Sequence, residues 1–220
     1  MRTTWKLFSN KTNLTFLLAL TLFLVGCNAR YVLNVSYDPI DSASPFLSPK
    51  DKQPVLYINP VTDNRNFALE NKDGGVSWWS GRFEEDPLLI QKFRGLDQSS
   101  WKTSKAPPEI IREALETEVH RFGIKITKNR DSADGVINAS IEKFKITDFE
   151  IPTTYGGLRI SVKINLELYQ KNIDDPVWSG ILKGNENDLN LNLSMAIKQW
   201  HDYPGFKKAL VSLTEVKLKE

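Results

Sequence analysis

"RISVKINLELY", residues 159–169, alternates from end to end. Ile160, Val162, Ile164, Leu166 and Leu168 fall on one side; Arg159, Ser161, Lys163, Asn165 and Glu167 fall on the other. A period of two belongs to a β-strand, whose successive side chains point to opposite faces. One apolar and one polar face mean a sheet covered on a single side. Antiparallel sheets tolerate that, whereas parallel sheets are buried on both faces and read as unbroken apolar runs. This stretch therefore predicts a mostly antiparallel sheet under one covering layer.

The flanking segments supply the partners and the cover. In "ADGVINASIEKFKI" (133–146) Ile137, Ala139 and Ile141 alternate, and Phe144 and Ile146 continue in the opposite phase. A one-residue change of phase predicts a β-bulge near Glu142-Lys143. "PVWSGILKG" (176–184) follows a turn at Asn172–Asp175 and reads as the next strand. "PVLYINP" (54–60), an apolar run between prolines, reads as the first core strand, and "VTDNR" (61–65) as a polar turn after it. "PPEIIREALETEVHRFGIKIT" (107–127) carries the clearest helix. Pro107 and Pro108 open it, where missing N–H groups cost little. Ile111, Leu115, Val119 and Phe122 share one face, and Gly123 suits the position that ends a helix. "IKIT" then reads as a short strand. Near the C-terminus, Leu193, Ala196, Ile197 and Trp200 form one apolar helical face. Phe206, Leu210 and Leu213 form another beyond Pro204-Gly205. The order gives an α+β fold: a mostly antiparallel mixed sheet with helices packed on one face.

Two regions fall outside this pattern. Residues 68–106 read as an irregular insertion in the 54–220 domain, with a short helix near Pro87–Phe93. Loops of that length are often functional. Residues 27–53 read as a tether, irregular and partly extended, with a short strand at Tyr31–Ser36.

Residues 1–26 read as a targeting segment. Arg2, Lys6 and Lys11 are basic with no acidic residue among them, and Leu14 to Val25 is almost wholly apolar. A run of about 12 residues suits the core of a secretory signal and falls short of the roughly 20 that span a bilayer. Leu24-Val25-Gly26-Cys27 resembles the bacterial lipobox, in which the cysteine thiol receives a diacylglycerol and becomes the first residue after cleavage. Cys27 is the single cysteine in the chain, so no internal disulfide can hold the fold. Acylation would anchor the protein to the membrane without a span, and two or more chains anchor it stably. Asn28 follows the cysteine. In enteric bacteria an Asp there retains lipoproteins at the inner membrane, so its absence leans toward the outer membrane, facing the periplasm. Removing the three basic residues of the signal turns the formal charge of +2 into −1. The apparent basicity is then no argument for nucleic acid, and no basic stripe of the kind nucleic-acid binding needs is present.

Several short motifs resemble the YajG-like family of bacterial envelope lipoproteins. They are the lipobox cysteine, Tyr37-Asp38-Pro39, the Val61–Arg65 stretch "VTDNR", "FGI" at Phe122–Ile124 and "WSG" at Trp178–Gly180. The 68–106 insertion departs from the family. The resemblance implies an envelope lipoprotein without a catalytic site.

The residues themselves offer no cofactor or metal site. His120 and His201 are the only histidines, and neither has a nucleophile motif beside it. His201-Asp202 are adjacent on a helix and do not face each other, and a metal site would need several ligands. Glu84-Glu85-Asp86 and Asp174-Asp175 read as solvated loops, and Gly74-Gly75 and Gly156-Gly157 as turns. Asp63 and Arg65 read as a salt-bridged or capping pair at a strand end. Trp78, Trp79 and Trp101 in the insertion are the sharper candidates. Aromatic residues concentrate at binding hot spots and favour membrane interfaces; the simpler explanation is that they fold back as a small satellite core. The expectation is a non-enzymatic, lipid-anchored accessory module that docks onto an envelope protein partner. The alternative is a glycan- or lipid-binding module using those tryptophans.

Overall fold

The computed structural model describes residues 30–40, 53–65, 88–92, 100–148, 159–186, 188–203 and 205–214. Its strands are β1 (Arg30–Leu33), β2 (Val55–Ile58), β3 (Thr62–Asp63), β4 (Leu89–Lys92), β5 (Ser100–Thr103), β6 (Lys125–Ile126), β7 (Gly135–Asp148), β8 (Arg159–Gln170) and β9 (Pro176–Glu186). The helices are α1 (Pro107–Arg121), α2 (Leu189–Asp202) and α3 (Phe206–Ser212). The larger sheet runs β6-β2-β7-β8-β9, with β3 also on β7. Its long strands β7, β8 and β9 are antiparallel, and β2, β3 and β6 join in parallel. The fold is α+β, as the alternation at 159–169 predicts.

Register explains the pattern in β7. Ile137, Ala139 and Ile141 are buried, the ladder to β8 shifts between Ile141 and Lys143, and Phe144 resumes burial. The extra residue of the bulge restores the apolar phase. α1 ends as Gly123 predicts. Gly123 has φ 79°, its N–H donates to His120 O at 2.9 Å, and Ile124 N–H donates to Val119 O at 3.1 Å. This is the paired closure of a Schellman motif. It turns the chain directly into β6.

The core lies between the larger sheet and the helices. Ile110, Ile111, Ala114, Leu115, Val119 and Phe122 face it from α1 and its end, and Leu193, Ala196, Ile197 and Trp200 from α2. Aromatic rings close one part of it. Trp200 meets Phe122 edge-on at 5.4 Å and Phe206 at 5.0 Å, and Trp178 meets Phe206 at 4.8 Å. Close ring pairs of this kind add about 0.5–1.5 kcal/mol beyond their buried area. The "WSG" motif has a steric reason here. A Cβ at Gly180 would stand 2.6 Å from the ring of Trp178 two residues back, so glycine leaves the ring its place. Gly184 is tighter still, since a Cβ there would lie 1.9 Å from Asn192 Oδ1 and 2.3 Å from Asn192 O. That glycine sets how closely α2 approaches β9.

The outer edge of β9 is closed by side chains. Ile181 N–H donates to Tyr203 Oη at 3.1 Å, and the same hydroxyl donates to Ile181 O. Lys183 N–H donates to Gln199 Oε1 at 3.2 Å, and Gln199 Nε2 donates to Lys183 O at 2.6 Å. Both side chains thus act as a substitute strand on an edge that would otherwise invite pairing.

Two expectations need correction. The helix expected near Pro87–Phe93 is strand β4, which pairs with β5; the described part of the insertion at 88–92 and 100–103 is strand rather than irregular loop. β4 and β5 form a second sheet in the order β1-β5-β4. The strand expected near residue 31 is present as β1, but residues 30–38 are not loose. β1 pairs in parallel with β5, and Val35 is buried in the core. Pairing partners far along the chain order these short segments, and local periodicity carries no trace of them.

Candidate functional site

The VTDNR stretch is divided by strand alternation. Val61 and Arg65 turn inward and are buried. Asp63 and Arg65 form the ion pair expected of them: Arg65 Nε donates to Asp63 Oδ1 at 2.7 Å and Nη2 to Oδ2 at 2.6 Å. Arg65 Nη1 reaches Phe144 O on β7 at 3.4 Å. The arginine side chain is 2% exposed and the aspartate 25%. This two-pronged geometry fixes the end of β3 to β7 and leaves the pair few atoms for a ligand.

Thr62 and Asn64 alternate to the other side and line a depression of about 420 Å³ with Asn59, Asn138, Asn165 and Glu167. Each asparagine comes from a different strand or strand end, and sheet register alone brings them together. Asn59 Nδ2 donates to Asn138 Oδ1. Asn165 Nδ2 donates to Glu142 Oε1 at 3.0 Å, while Asn165 Oδ1 is buried with no partner. Tyr169 Oη donates to Glu167 Oε2 at 2.8 Å, and that hydrogen bond, with some burial, raises the tyrosine pKa. The depression offers amide donors and acceptors, a chemistry suited to hydroxyl-rich ligands.

A second polar cluster escaped the sequence reading. Glu118 is fully buried on α1. It accepts a hydrogen bond from Tyr37 Oη and an ion pair from Arg121. Burial first, and then the bond to Glu118, push the Tyr37 pKa well up. Ser194 Oγ donates to Asp38 O at 2.6 Å, and Ser36 N–H donates to Asn190 Oδ1 at 3.1 Å. Residues 36–38, the first two letters of Tyr37-Asp38-Pro39 included, are therefore strapped to α1 and α2. Helical spacing was the available signal: Glu118 follows Ile111 by seven and Leu115 by three, on the apolar face.

The other candidates separate. Trp101 lies in β5, half-buried and packed against the core. Trp78, Trp79 and Cys27 lie outside the described residues. His120 is exposed, as are Asp174 and Asp175. Among the described residues no group of three or more His, Cys, Asp or Glu could hold a metal ion, and no helix is long and apolar enough to cross a membrane.

No protein-family model and no curated protein matches the chain. Solved structures with a similar course include protein XCC0632 from Xanthomonas campestris, at 11% identity and a TM-score of 0.43, covering 84% of this chain and 89% of that one. The hypothetical protein CT253 from Chlamydia trachomatis is similar at 10% identity and a TM-score of 0.44, covering 73% and 99%. Lipoprotein GNA1162 from Neisseria meningitidis is similar at 9% identity and a TM-score of 0.29, covering 69% and 100%.

Proposed function

We propose that this protein is a non-enzymatic lipoprotein of the bacterial cell envelope, anchored through Cys27 to the outer membrane, facing the periplasm and acting as a protein-interaction or accessory module. The observation that carries this reading is the Leu24–Cys27 lipobox at the end of an apolar run too short to span a bilayer. The YajG-like motifs support it, and three of them have structural work in the fold: Arg65 locks β3, Gly123 ends α1 and Gly180 seats Trp178. The broad partner class is an envelope protein. Photo-crosslinkers placed at Thr62 and Ser179 in the native envelope test it; a discrete crosslinked band absent from an unrelated Cys-anchored domain is expected, and its absence at both positions counts against docking.

A second reading is favoured by the amide-lined depression, with the unpartnered Asn165 Oδ1 at its wall. There a cell-wall glycan would bind through hydroxyl groups. This gives the glycan alternative a second surface beside the tryptophans, of which Trp101 packs against the core. Isothermal titration with soluble cell-wall fragments distinguishes the two: saturable heat lost in Asn138→Ala supports glycan binding, and no heat rejects it.

A further inference from the structure

The first described residue, Arg30, lies three residues from the proposed anchor. Three Cα steps separate Cys27 from Arg30, so these two atoms lie at most about 11 Å apart whatever path the chain takes. β1 adds about 3.3 Å per residue, so Val32 stands no more than about 18 Å from the lipidated cysteine. The headgroup zone on each side of a bilayer is itself about 5–8 Å deep. From Arg30 to Asp38 the chain is held to the rest of the fold. β1 is paired with β5 from its first residue, Val35 is buried, and residues 36–38 are strapped to both long helices.

Several apolar side chains are exposed on β1, just beyond the strap and on the helix that holds it. Leu33 in β1 and Val35 just beyond it pack against the core, and Val32 turns out, 64% exposed. Ile40, two residues beyond the strap, is also exposed. Leu191 and Met195 are exposed on α2 next to Asn190 and Ser194, the two residues that hold the strap. The register partner of Val32 is Lys102.

We infer that the outward side of β1 and the strap form a membrane seat: the lipid on Cys27 holds Val32 and its apolar neighbours against phospholipid headgroups, so the domain sits on the bilayer instead of hanging from a tether. The inference rests on the lipoprotein reading and gives it an orientation. The amide depression and the edge of β9 are then fixed relative to the membrane rather than free to tumble.

The test uses the full lipidated chain, purified from membranes and reconstituted into vesicles of phosphatidylethanolamine and phosphatidylglycerol that carry a headgroup spin label. With Cys27 acylated, Val32→Cys provides a single free thiol for a fluorophore, and Asn34→Cys on the same exposed segment is the second site. Each is compared with a version carrying twenty Gly/Ser residues inserted between Asn28 and Ala29, a spacer of about 25 Å root-mean-square length. The seat predicts quenching several-fold stronger at native spacing than with the spacer. Equal quenching in the two, at whatever level, overturns it. Mass measurement of the same samples separates the failures: intact acylation with equal quenching sinks the seat alone, and absence of acyl groups sinks the lipoprotein reading with it.

Discussion

Replacing Tyr37 with Phe removes one hydroxyl and tests whether the N-terminal segment belongs to the folded unit. Tyr37 Oη donates to the fully buried carboxylate of Glu118, which Arg121 also holds. A hydrogen bond to a charged group contributes about 1.5–3 kcal/mol, and leaving part of a buried carboxylate unsatisfied costs a similar amount. The tyrosine is only half-buried and water can partly replace it, so the lower end, about 1.5 kcal/mol, is expected at pH 7. The pH dependence has a definite sign. The folded protein holds the Tyr37 proton more tightly than the unfolded chain does, because burial and Glu118 raise its pKa. This stabilisation is fully present below the unfolded pKa of about 10 and is lost as pH rises above it. Each pH unit beyond that point costs about 1.4 kcal/mol from this group. Urea unfolding of the mature chain in detergent, followed by tryptophan fluorescence from pH 7 to 11, compares the two proteins. Tyr37→Phe begins about 1.5 kcal/mol less stable and the gap closes above pH 10. A variant as stable as the parent at pH 7, or a gap that stays constant to pH 11, refutes the strap.

Three further outcomes follow from the packing. Gly184→Ala forces α2 away from β9 and costs about 3 kcal/mol, the upper end for overpacking, read as a lowered thermal midpoint; a neutral effect contradicts the close approach. Tyr203→Phe combined with Gln199→Ala uncovers the edge of β9, and sedimentation velocity then shows concentration-dependent association that the parent lacks. Asp63→Asn leaves the buried guanidinium without its carboxylate and costs about 3 kcal/mol, whereas Arg65→Met leaves only a partly exposed aspartate and costs about half as much; equal losses in denaturant midpoint argue against this asymmetry.

How much was legible depended on whether the ordering force was local. β8 shows its alternation because each buried residue is separated by one step, and the bulge in β7 betrays itself as a phase change between Ile141 and Phe144. α1 carries its own start and stop in Pro107 and Gly123. The Asp63–Arg65 pair is readable because two residues along one strand bring the charges to the same side. β1, β4 and β5 are four residues each and owe their form to one another across some seventy residues of chain, so the stretch around Leu89 could pass for a helix. The amide depression is invisible for the same reason: Asn59, Asn138 and Asn165 are polar residues on three strands, and only register makes them neighbours. Glu118 was within reach of helical spacing, though a carboxylate on an apolar face has no stated partner until Tyr37 is folded onto it.

The proposed place of this protein in the cell depends on Cys27 as its point of attachment to the membrane. Intact mass and peptide sequencing of the protein extracted from bacterial membranes test it most directly. Lipid attachment there yields a mature chain that begins at Cys27, with diacylglyceryl on its thiol and an acyl group on its amine. It also means that Cys27→Ser accumulates as uncleaved precursor. A mature protein that begins elsewhere, or that carries Cys27 as a free thiol, contradicts it.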